Sequence, residues 1–428
     1  MSRFRRLRRA PARPRPDEFL DLAHRAAFGV PADAGALRRY GAALGETGNR
    51  LDVFEAMLRT PGHRRWMASR LLPDAAGLQD DEFVTHVYRT LLGREPDRAG
   101  SEHYRAALAA GGDRAAMVAE ITASDEYVTR ALATRYPLAD LRARRPDRFG
   151  EALDVAGNPK PVFTAGSDAD FDWLETAILD GGYYDRPGVW RFELNTDKLV
   201  MAEIVAALGR DRALELGCST GLVLQCLARS GVTADGVEIS GAAIEAADPA
   251  IRPRIHQVNA TAIELPARYG VVFGLDIFEH LNPNALDGGL ARVAAHLEPG
   301  GFVFANIPAF GEDPVFGTVF QLYLEPWLAD ADRGVNFRTL HTDDLGYPHN
   351  GHLTWARSDW WVARFEAAGL RRQPGIERAL HARYDGYFLR ETPARRSFYV
   401  FAKDADPAEC RRIEESIAAT PSAVLSGP

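Results

Sequence analysis

Short apolar runs alternate with segments of helical spacing from about residue 196 onward. The runs predict strands at 213–216, 236–239, 271–276, 302–307 and 397–401. The spacing predicts helices at 221–230, 241–247 and 286–297, with one more helix after Trp360. Repeated βα units of this length build a parallel, doubly wound sheet. The pattern therefore predicts an α/β, Rossmann-like domain at 196–405 with a mostly parallel sheet, followed by a C-terminal helix and tail at 406–428.

The first third of the chain has a helical pattern and an internal repeat. Seven residues recur 64 positions later in the same order, which indicates two copies of one supersecondary unit. The pairs are Phe19 and Phe83, Arg25 and Arg89, Gly29 and Gly93, Asp33 and Asp97, Tyr40 and Tyr104, Leu44 and Leu108, and Arg50 and Arg114. We therefore expect a small, tandem all-α domain at 17–135. Residues 136–195, with several arginines, prolines and glycines, are expected to be a linker and cap region.

The turn at 93–97 reads Gly-Arg-Glu-Pro-Asp and follows an apolar helix. It resembles a turn of a bacterial helical domain of unknown function, which often occurs in tandem and is attached to enzymes of surface glycans. The turn of the first copy, at 29–33, is degenerate. Asp97 and Glu95 suit either helix capping and turn chemistry or the binding of an ion or partner. The helical domain is therefore a candidate for binding a protein partner.

Charge excludes one class of partner. The net charge is −8, and subtracting the seven arginines of residues 1–16 leaves −15 for the rest of the chain. A body this acidic repels a phosphate backbone, so we expect no nucleic acid partner. The arginines of 1–16 stand among prolines, which predicts a disordered tail. This tail is either solvated without a partner or attracted to anionic lipid, which would bring the protein to the inner face of the membrane.

Cysteine use and hydropathy indicate the compartment. Cys218, Cys226 and Cys410 are the only cysteines and form no CxxC pair, which argues against a disulfide framework and a structural zinc site. No apolar run approaches the ~18 residues that a membrane-spanning helix needs. No apolar segment follows the N-terminal arginines, as a secretory signal would require. We therefore expect a cytoplasmic protein.

A glycine-containing loop follows the first strand of the α/β region. Residues 215–221 read Glu-Leu-Gly-Cys-Ser-Thr-Gly, and Glu238 ends the second strand 21 residues after Gly217. Ligands of open α/β sheets bind beyond the carboxyl ends of the strands, where a carboxylate can accept hydrogen bonds from both hydroxyls of a ribose. A dinucleotide requires G-x-G-x-x-G for its pyrophosphate. Here Ser219 replaces the middle glycine, and Glu215 suits a cationic amine instead.

These residues resemble motif I of the class I S-adenosylmethionine-dependent methyltransferases, and the resemblance extends over about residues 190–403. It implies S-adenosyl-L-methionine as the cofactor. The residues implied to hold its methionine part are Glu215, Gly217, Cys218, Ser219 and Gly221. The residues implied at the ribose and adenine are Glu238, Ile239, Asn259 and Ala260. Asp276 and Ile277 begin a fourth-strand motif, Asp-Ile-Phe-Glu-His-Leu, that is found in many small-molecule members.

The methyl acceptor is expected to be a hydroxyl of a carbohydrate or a related small molecule. The sequence lacks the Asn/Asp-Pro-Pro-Tyr motif of enzymes that methylate planar amino groups, and it lacks a Pro-Cys pair for attack on cytosine. A hydroxyl must lose its proton, for which His280 is the first candidate base and His352 the second. His280 suits a structural role equally well. An ordinary catalytic imidazole would make the rate rise through about pH 6–7.

An insertion at 308–356 is rich in aromatic residues and histidines, which predicts a substrate lid. Its His349 and His352 stand in His-Asn-Gly-His, which is not a helical zinc motif, so we expect no metal. Two other functions stay open. One is a non-catalytic scaffold that binds the cofactor weakly, and the other is an NAD-linked sugar-modifying enzyme, against which the loop spacing argues.

Overall fold

The computed structural model describes residues 16–47, 49–187, 193–311 and 315–426. They form two compact units. One contains the described residues up to Ala139 and those of 179–189, and the other contains Asp140–Ile178 and the described residues from 193 onward. The arginine-rich tail predicted at 1–16 lies outside the described residues, apart from Pro16, which begins the first helix. Within the described part of the chain, every helix is too short or too polar to cross a bilayer.

The first unit is helical, as predicted. Its helices α1 to α8 are Pro16–Phe28, Ala34–Thr47, Arg50–Leu58, Pro61–Asp74, Asp80–Val87, Arg98–Ala109, Arg114–Ala123 and Asp125–Thr134. A π-helical turn, Tyr88–Leu92, continues α5. Apolar side chains on the inward faces of the helices, such as Phe54, Phe83 and Val118, are fully buried and form the core of this unit.

The two copies of the 64-residue repeat share their turn chemistry. Gly29 and Gly93 both adopt the left-handed backbone, with φ of 74° and 67°, where glycine is favoured. Asp33 and Asp97 each accept a 2.7 Å hydrogen bond from the amide three residues later, at the start of α2 and α6. Glu95 lies 2.6 Å from the guanidinium of Arg89. Asp97 and Glu95 thus both have structural partners in this turn.

The copies also share contacts between helices. The guanidinium of Arg50 lies 5.0 Å from the ring centroid of Phe19, and that of Arg114 lies 4.5 Å from the ring centroid of Phe83. These four residues are two of the pairs that repeat in the sequence. Equivalent residues therefore make equivalent cation–π contacts, which hold α1 to α3 and α5 to α7.

Residues 140–178 differ from the linker and cap region that their composition predicts. Their elements are the strands β1 (Phe149–Leu153) and β2 (Pro159–Thr164) and the helices α9 (Leu141–Arg144) and α10 (Asp168–Asp180). β1 and β2 form an antiparallel hairpin, which a later strand, β8 (Thr339–His341), extends to three strands. The arginines of this segment, which suggest a linker, instead form ion pairs with an acidic residue. Arg145 and Arg148 each lie 3.1 Å from the buried carboxylate of Asp170.

The second unit is built on a seven-stranded sheet. Its strands β3 to β7, β9 and β10 are Arg212–Leu216, Thr233–Glu238, Ile255–Gln257, Tyr269–Leu275, Leu297–Asn306, Arg371–Arg372 and Phe398–Ala402. They lie in the order β5-β4-β3-β6-β7-β10-β9. Neighbouring strands are parallel except at β10, which is antiparallel to both β7 and β9. The predicted α/β class with a mostly parallel sheet is confirmed.

Helices cover both faces of this sheet. Helices α11 to α19 are Thr196–Ala207, Leu222–Arg229, Gly241–Ala246, Pro283–His296, Phe316–Val319, Glu325–Asp332, Ser358–Ala367, Pro374–Glu391 and Pro407–Ala419. The sequence predicts one helix between Trp360 and the last strand, whereas the structure has two, α17 and α18. In α18, Ile376, Leu380, Tyr384 and Phe388 follow one another at four-residue intervals and are buried in the core. Its helical signal is therefore present in the sequence.

Candidate functional site

Three neighbouring parallel strands, β4, β3 and β6, end at the same edge of the sheet. Glu215 lies near the end of β3, Glu238 ends β4, and Asp276 directly follows β6. Because parallel strands present their carboxyl ends together, these residues lie in one region although the sequence separates them. The structure thus brings most of the predicted cofactor residues to the usual ligand-binding edge of a doubly wound sheet.

Gly217 and Gly221 turn the chain sharply after β3. Their φ angles are 66° and 75°, which residues with a side chain rarely adopt. A Cβ at Gly217 would lie 2.7 Å from the side chain of Ile277, so only glycine lets this loop pack against the loop after β6. Ser219 has a φ of 52°, a conformation that costs about 1–2 kcal/mol for a residue with a Cβ. The loop is therefore shaped by two glycines and one strained serine.

The backbone amides of this loop donate within the protein. Those of Gly217 and Cys218 donate to the carbonyl of Val237 at 2.8 and 3.1 Å. That of Ser219 donates to the carboxylate of Glu238 at 2.8 Å. A pyrophosphate of NAD would bind to amides of this kind. Because these three already donate within the protein, they argue against the NAD-linked alternative. The side chain of Cys218 is buried, which leaves its backbone as the part that can face a ligand.

Glu238 joins the loop to the end of its own strand. Besides the bond from Ser219, its carboxylate accepts bonds from the amides of Ile239 and Ser240, both at 2.8 Å. These bonds fix the carboxylate at the edge of the sheet, with Oε1 accepting from Ile239 and Ser240 and Oε2 accepting from Ser219. Ile239 is 36% exposed, so an apolar side chain that a base could cover lies next to this carboxylate.

Glu215 is buried, and its Oε2 has no hydrogen-bond partner. Burial raises the pKa of Glu215 to about 8, a shift that Lys198 opposes and Glu238 increases. Lys198 is half-buried in the first turn of α11, where burial and Arg395 lower its pKa. An interacting carboxylate and ammonium complement the two charged ends of an amino acid, such as the methionine part of S-adenosylmethionine. Lys198 belongs to no motif, and its only signal in the sequence is that lysine is rare in this chain.

Arg395 connects three segments at the same edge. It donates to the carboxylate of Asp197 at 3.1 Å, to Oδ1 of Asn306 at 2.6 Å and to the carboxylate of Asp276. Burial acts to lower the pKa of Arg395, but the charges of Asp276 and Asp197 outweigh burial and raise this pKa. Asp276 has a φ of 52°, so this ion pair holds a strained residue in place. Arg395 comes from the segment before β10 and carries no signal that links it to the fourth-strand motif.

The structure changes the expected role of Asn259. Its side-chain carbonyl accepts hydrogen bonds from the amide and the hydroxyl of Thr261, at 2.9 and 2.8 Å. Both lone pairs are therefore used to cap the turn that begins at Ala260, which is itself buried. Glu175 of α10 also interacts with Asn259 and accepts a 2.8 Å bond from Asn282. The segment expected to be a linker thus contributes a side chain to this part of the site.

The two candidate bases lie together. The ring centroids of His280 and His352 are 4.7 Å apart. Burial lowers the pKa of His280 to about 4, although Asp276 and a hydrogen bond to the Gly351 carbonyl oppose this shift. Burial and His280 also lower the pKa of His352. Both rings are neutral at pH 7, but an imidazole with a pKa of about 4 is a weak base. The low pKa of His280 is therefore inconsistent with the rise in rate at pH 6–7 that is expected for an ordinary catalytic imidazole.

Glu279 completes this cluster. It is fully buried, and neither of its carboxylate oxygens has a hydrogen-bond partner. Its Oε1 lies 3.8 Å from Nε2 of His352. Burial, followed by the charge of Asp276, raises the pKa of Glu279 well above its ordinary value. The residue stands inside the fourth-strand motif, directly before His280, and that position is its only signal in the sequence.

Four aromatic rings of the insertion pack together in the interior. Phe310, Trp327, Phe337 and Trp355 are buried, and the ring centroids of contacting pairs are 5.1 to 5.6 Å apart. These rings form a small core and cannot stack on a sugar. The insertion nevertheless reaches the site, because His352 packs against Trp355 with ring centroids 4.6 Å apart.

Two family models match parts of the chain. Residues 67–131 match a domain of unknown function (DUF4214), and residues 213–301 match a methyltransferase domain. The first match lies in the helical unit and includes the turn at 93–97. The second includes Glu215, Glu238 and Asp276. It confirms the predicted methyltransferase domain and, with it, S-adenosylmethionine as the cofactor of the α/β unit.

Curated relatives match the same region. The ubiquinone biosynthesis O-methyltransferase of Paracidovorax citrulli (strain AAC00-1) is 31% identical over 121 residues, which are 26% of this chain and 50% of that protein. The enzyme of the same name from Xanthomonas campestris pv. campestris (strain B100) is 25% identical over 159 residues, 35% of this chain and 65% of that protein. The chain thus spans about half to two thirds of the length of these relatives.

Solved structures of small-molecule methyltransferases are also similar. CalS10, an amino pentose methyltransferase from Micromonospora echinaspora, is 18% identical, with 53% of this chain and 96% of that chain covered and a TM-score of 0.34. The 1,6-didemethyltoxoflavin-N1-methyltransferase of Burkholderia thailandensis is 16% identical, with 57% and 95% covered and a TM-score of 0.36. Identities and TM-scores this low do not bear on the substrate of this chain.

Proposed function

We propose that this chain is an S-adenosylmethionine-dependent methyltransferase that acts on a hydroxyl of a carbohydrate or a related small molecule. The observation that carries the proposal is the arrangement of Glu215, Lys198 and Glu238 at the carboxyl edge of β3 and β4. Glu215, ionised when an ammonium binds, and Lys198 provide opposite charges for an amino acid, and Glu238 provides an anchored carboxylate for a ribose. A methionine joined to a nucleoside presents both groups. The methyltransferase-domain match over 213–301 supports the same assignment.

The chain's own residues would act mainly by alignment. Bound S-adenosylmethionine supplies a methyl group on a positively charged sulfur, which is already an activated leaving group. Glu215 and Lys198 hold the amino acid end, Glu238 holds the ribose, and the close packing of Gly217 on Ile277 fixes the loop between them. The acceptor oxygen must lose its proton, and the neutral rings of His280 and His352 lie at the end of β6, next to Asp276.

A hydroxyl acceptor is supported by the missing amino-methylation motif and by relatives that are named O-methyltransferases. The carbohydrate class rests on the resemblance of the helical domain to modules attached to enzymes of surface glycans. The buried aromatic core of the insertion does not support the carbohydrate class, because the rings in that core are not free to stack on a sugar.

Equilibrium titration of the purified chain with S-adenosylmethionine tests the proposal. Glu238→Gln should keep the fold but weaken binding by roughly 1–3 kcal/mol, about 5- to 150-fold, because charge-assisted hydrogen bonds are lost. Glu245→Gln, an exposed carboxylate in α13, is the matched control and should bind like the wild type. Unchanged affinity in Glu238→Gln would remove the ribose assignment. No binding at millimolar cofactor would favour the scaffold function instead.

A further inference from the structure

The cluster at the end of β6 contains buried polar groups that the protein leaves unpaired. Glu279 is 0% exposed and both its carboxylate oxygens lack a hydrogen-bond partner, while His352 is 7% exposed and its Nδ1 lacks one. Burying a carboxylate without a partner costs several kcal/mol, so buried carboxylates in proteins are paired, hydrogen-bonded or used to bind a cation. Proton abstraction by histidine does not require this carboxylate. The cluster therefore calls for a second explanation.

The distances suit a single ion. One ligand atom each from Glu279, His280 and His352 can be chosen so that all three lie within 4.8 Å of one another. The 3.8 Å between His352 Nε2 and Glu279 Oε1 is too long for a hydrogen bond. Two ligands of a tetrahedral zinc ion, each about 2.0–2.2 Å from the metal, lie about 3.4 Å apart. Small side-chain rotations would bring the three groups to that separation.

Hydrogen bonds hold the two segments of the cluster together. The amides of Leu353 and Thr354 both donate to the carbonyl of Glu279 at 2.8 Å, and the Thr354 hydroxyl donates to the carbonyl of Leu281 at 2.7 Å. The loop of His352 is thus attached to the segment of Glu279 and His280. Such support is what a preorganised metal site requires.

The histidines have the form of metal ligands. A ring nitrogen of His280 donates to the carbonyl of Gly351, and metal-binding histidines commonly donate their second N–H to a backbone carbonyl, which fixes the tautomer. His352 is buried beside His280, with the two ring centroids 4.7 Å apart. His349, by contrast, is exposed and stacks on His341, with ring centroids 5.4 Å apart.

We infer that Glu279, His280 and His352 bind one divalent transition-metal ion, of the class of Zn²⁺ or Mn²⁺, which coordinates the acceptor hydroxyl. Two histidines and one carboxylate leave coordination positions open, as in catalytic zinc sites. The sequence-based expectation of no metal rests on His349 and His352 alone. In the structure, His352 lies instead with His280 and Glu279.

The role of the ion rests on the proposed function, whereas binding of the ion does not. A coordinated hydroxyl has a lowered pKa and releases its proton to water. Its oxygen then forms the bond to the methyl carbon, while the carbon–sulfur bond breaks and its electron pair stays on sulfur. This route does not require a basic histidine, because the proton goes to water.

The binding test uses the full chain and the metal alone. After treatment with EDTA and its removal, Zn²⁺ is titrated by calorimetry, and Co²⁺ is added separately to record visible absorption bands from a nitrogen- and oxygen-ligated site. We expect one equivalent of Zn²⁺ to bind and to raise the Tm. Glu279→Gln and His352→Asn should each lose more than about 100-fold in affinity, beyond the 10- to 100-fold typical of outer partners. His349→Asn, on the same loop, should bind as the wild type does.

The outcomes separate the two proposals. Circular dichroism checks that each variant is folded. Removal of the metal from the wild-type protein with EDTA tests the site without any substitution. A folded wild type that binds no Zn²⁺ overturns the site, as does binding that Glu279→Gln leaves unchanged. Methyl transfer that EDTA abolishes and Zn²⁺ or Mn²⁺ restores supports the ion's role, whereas full activity in EDTA overturns that role alone. If Zn²⁺ binds but S-adenosylmethionine does not, the ion site stands and the proposed function is overturned.

Discussion

The helical unit and the α/β unit each bury a histidine, in opposite environments. In the helical unit His63 is 0% exposed, with Nδ1 2.6 Å from the carbonyl of Ala27 and Nε2 2.8 Å from the hydroxyl of Tyr127. In the α/β unit His352 is also buried, but its Nδ1 has no partner and its Nε2 lies 3.8 Å from a carboxylate. A satisfied ring stabilises a fold, whereas an unsatisfied one costs stability and calls for a functional reason.

Backbone strain divides the units in the same way. Among the described residues, those other than glycine with a positive φ are Ser219, Asp276, Asn350 and Asp404, and all four belong to the α/β unit. Ser219 and Asp276 lie in the loops of the cofactor site, and Asn350 lies two residues before His352. Strain of this kind persists where the surrounding structure enforces it, commonly at functional sites. The comparison separates the part of the chain built for packing from the part built for chemistry.

The largest effect is expected at Gly217, with Gly111 of the helical unit as its control. Both are left-handed, with φ of 66° and 85°, but a Cβ would lie 2.7 Å from Ile277 at Gly217 and would meet nothing within 4 Å at Gly111. Gly111→Ala should lower the free energy of unfolding by about 1 kcal/mol. Gly217→Ala should lower it by about 2–4 kcal/mol, because overpacking adds to the strain, and should weaken cofactor binding. Urea unfolding and cofactor titration measure these effects, and equal losses in both variants would contradict the packing argument.

The second prediction compares the two histidines in the presence of EDTA. His63→Leu should lower the free energy of unfolding by about 1–3 kcal/mol, because the Ala27 carbonyl and the Tyr127 hydroxyl lose their partner. His352→Leu should change it by less than about 1 kcal/mol, since it removes an unpaired buried nitrogen. Denaturant unfolding at one pH measures both. Similar losses in the two variants would mean that His352 is as structural as His63.

The third prediction concerns Glu215. Burial raises the pKa of Glu215 to about 8, whereas in the helical unit the hydrogen bond from the Gly100 amide lowers the pKa of Asp97. Below about pH 8 Glu215 is mostly protonated in the free protein, and a bound ammonium favours its carboxylate. Binding therefore releases a proton, so affinity should increase with pH up to about 8, by up to about 50-fold from pH 6, and then level off. Calorimetry across this range measures the slope. Glu215→Gln should flatten it, and a slope that survives would assign the titration to another group.

The smallest effect is expected at Ser219, with Asp404 as its control. Both residues are left-handed, with φ of 52° and 48°. Glycine relieves the strain but adds entropy to the unfolded chain, so Ser219→Gly and Asp404→Gly should each change stability by less than about 1 kcal/mol. Only Ser219→Gly should alter cofactor affinity, and by a few-fold at most. Thermal unfolding and titration provide the two measurements, and a large loss of affinity would show that the serine side chain itself contacts the cofactor.

The fold and the cofactor loop can be read from the sequence because their signals are local. The buried strand, the glycines of 215–221 and Glu238 at the next strand end lie within one βαβ unit, and spacing alone relates them. Lys198, Arg395 and Glu279 have no such signal. Lys198 and Arg395 reach the site from segments far apart in the chain, and the partners of Glu279 depend on where the insertion folds.

Composition misleads where one residue type can serve two purposes. The arginines of 136–195 read as solvated linker residues, but Arg145 and Arg148 neutralise the buried Asp170. The aromatic residues of the insertion read as a platform for a substrate, but Phe310 and Trp327 pack on each other. A count of residue types cannot distinguish a paired charge from a solvated one, nor a packed ring from an exposed one. Tertiary packing makes that choice.

The interior position of β10 has a consequence for protein synthesis. β10 pairs with β7 on one side and with β9 on the other, yet it is the last strand of the sheet to be translated. Until Ala402 has left the ribosome, β7 has an unpaired edge with apolar residues such as Phe302 and Phe304, which is the kind of edge that recruits foreign strands. Arg395 emerges just before β10, so Asp276 gains its ion pair at the same late moment. The nascent α/β unit therefore depends on one late strand both to close its sheet against aggregation and to complete its site.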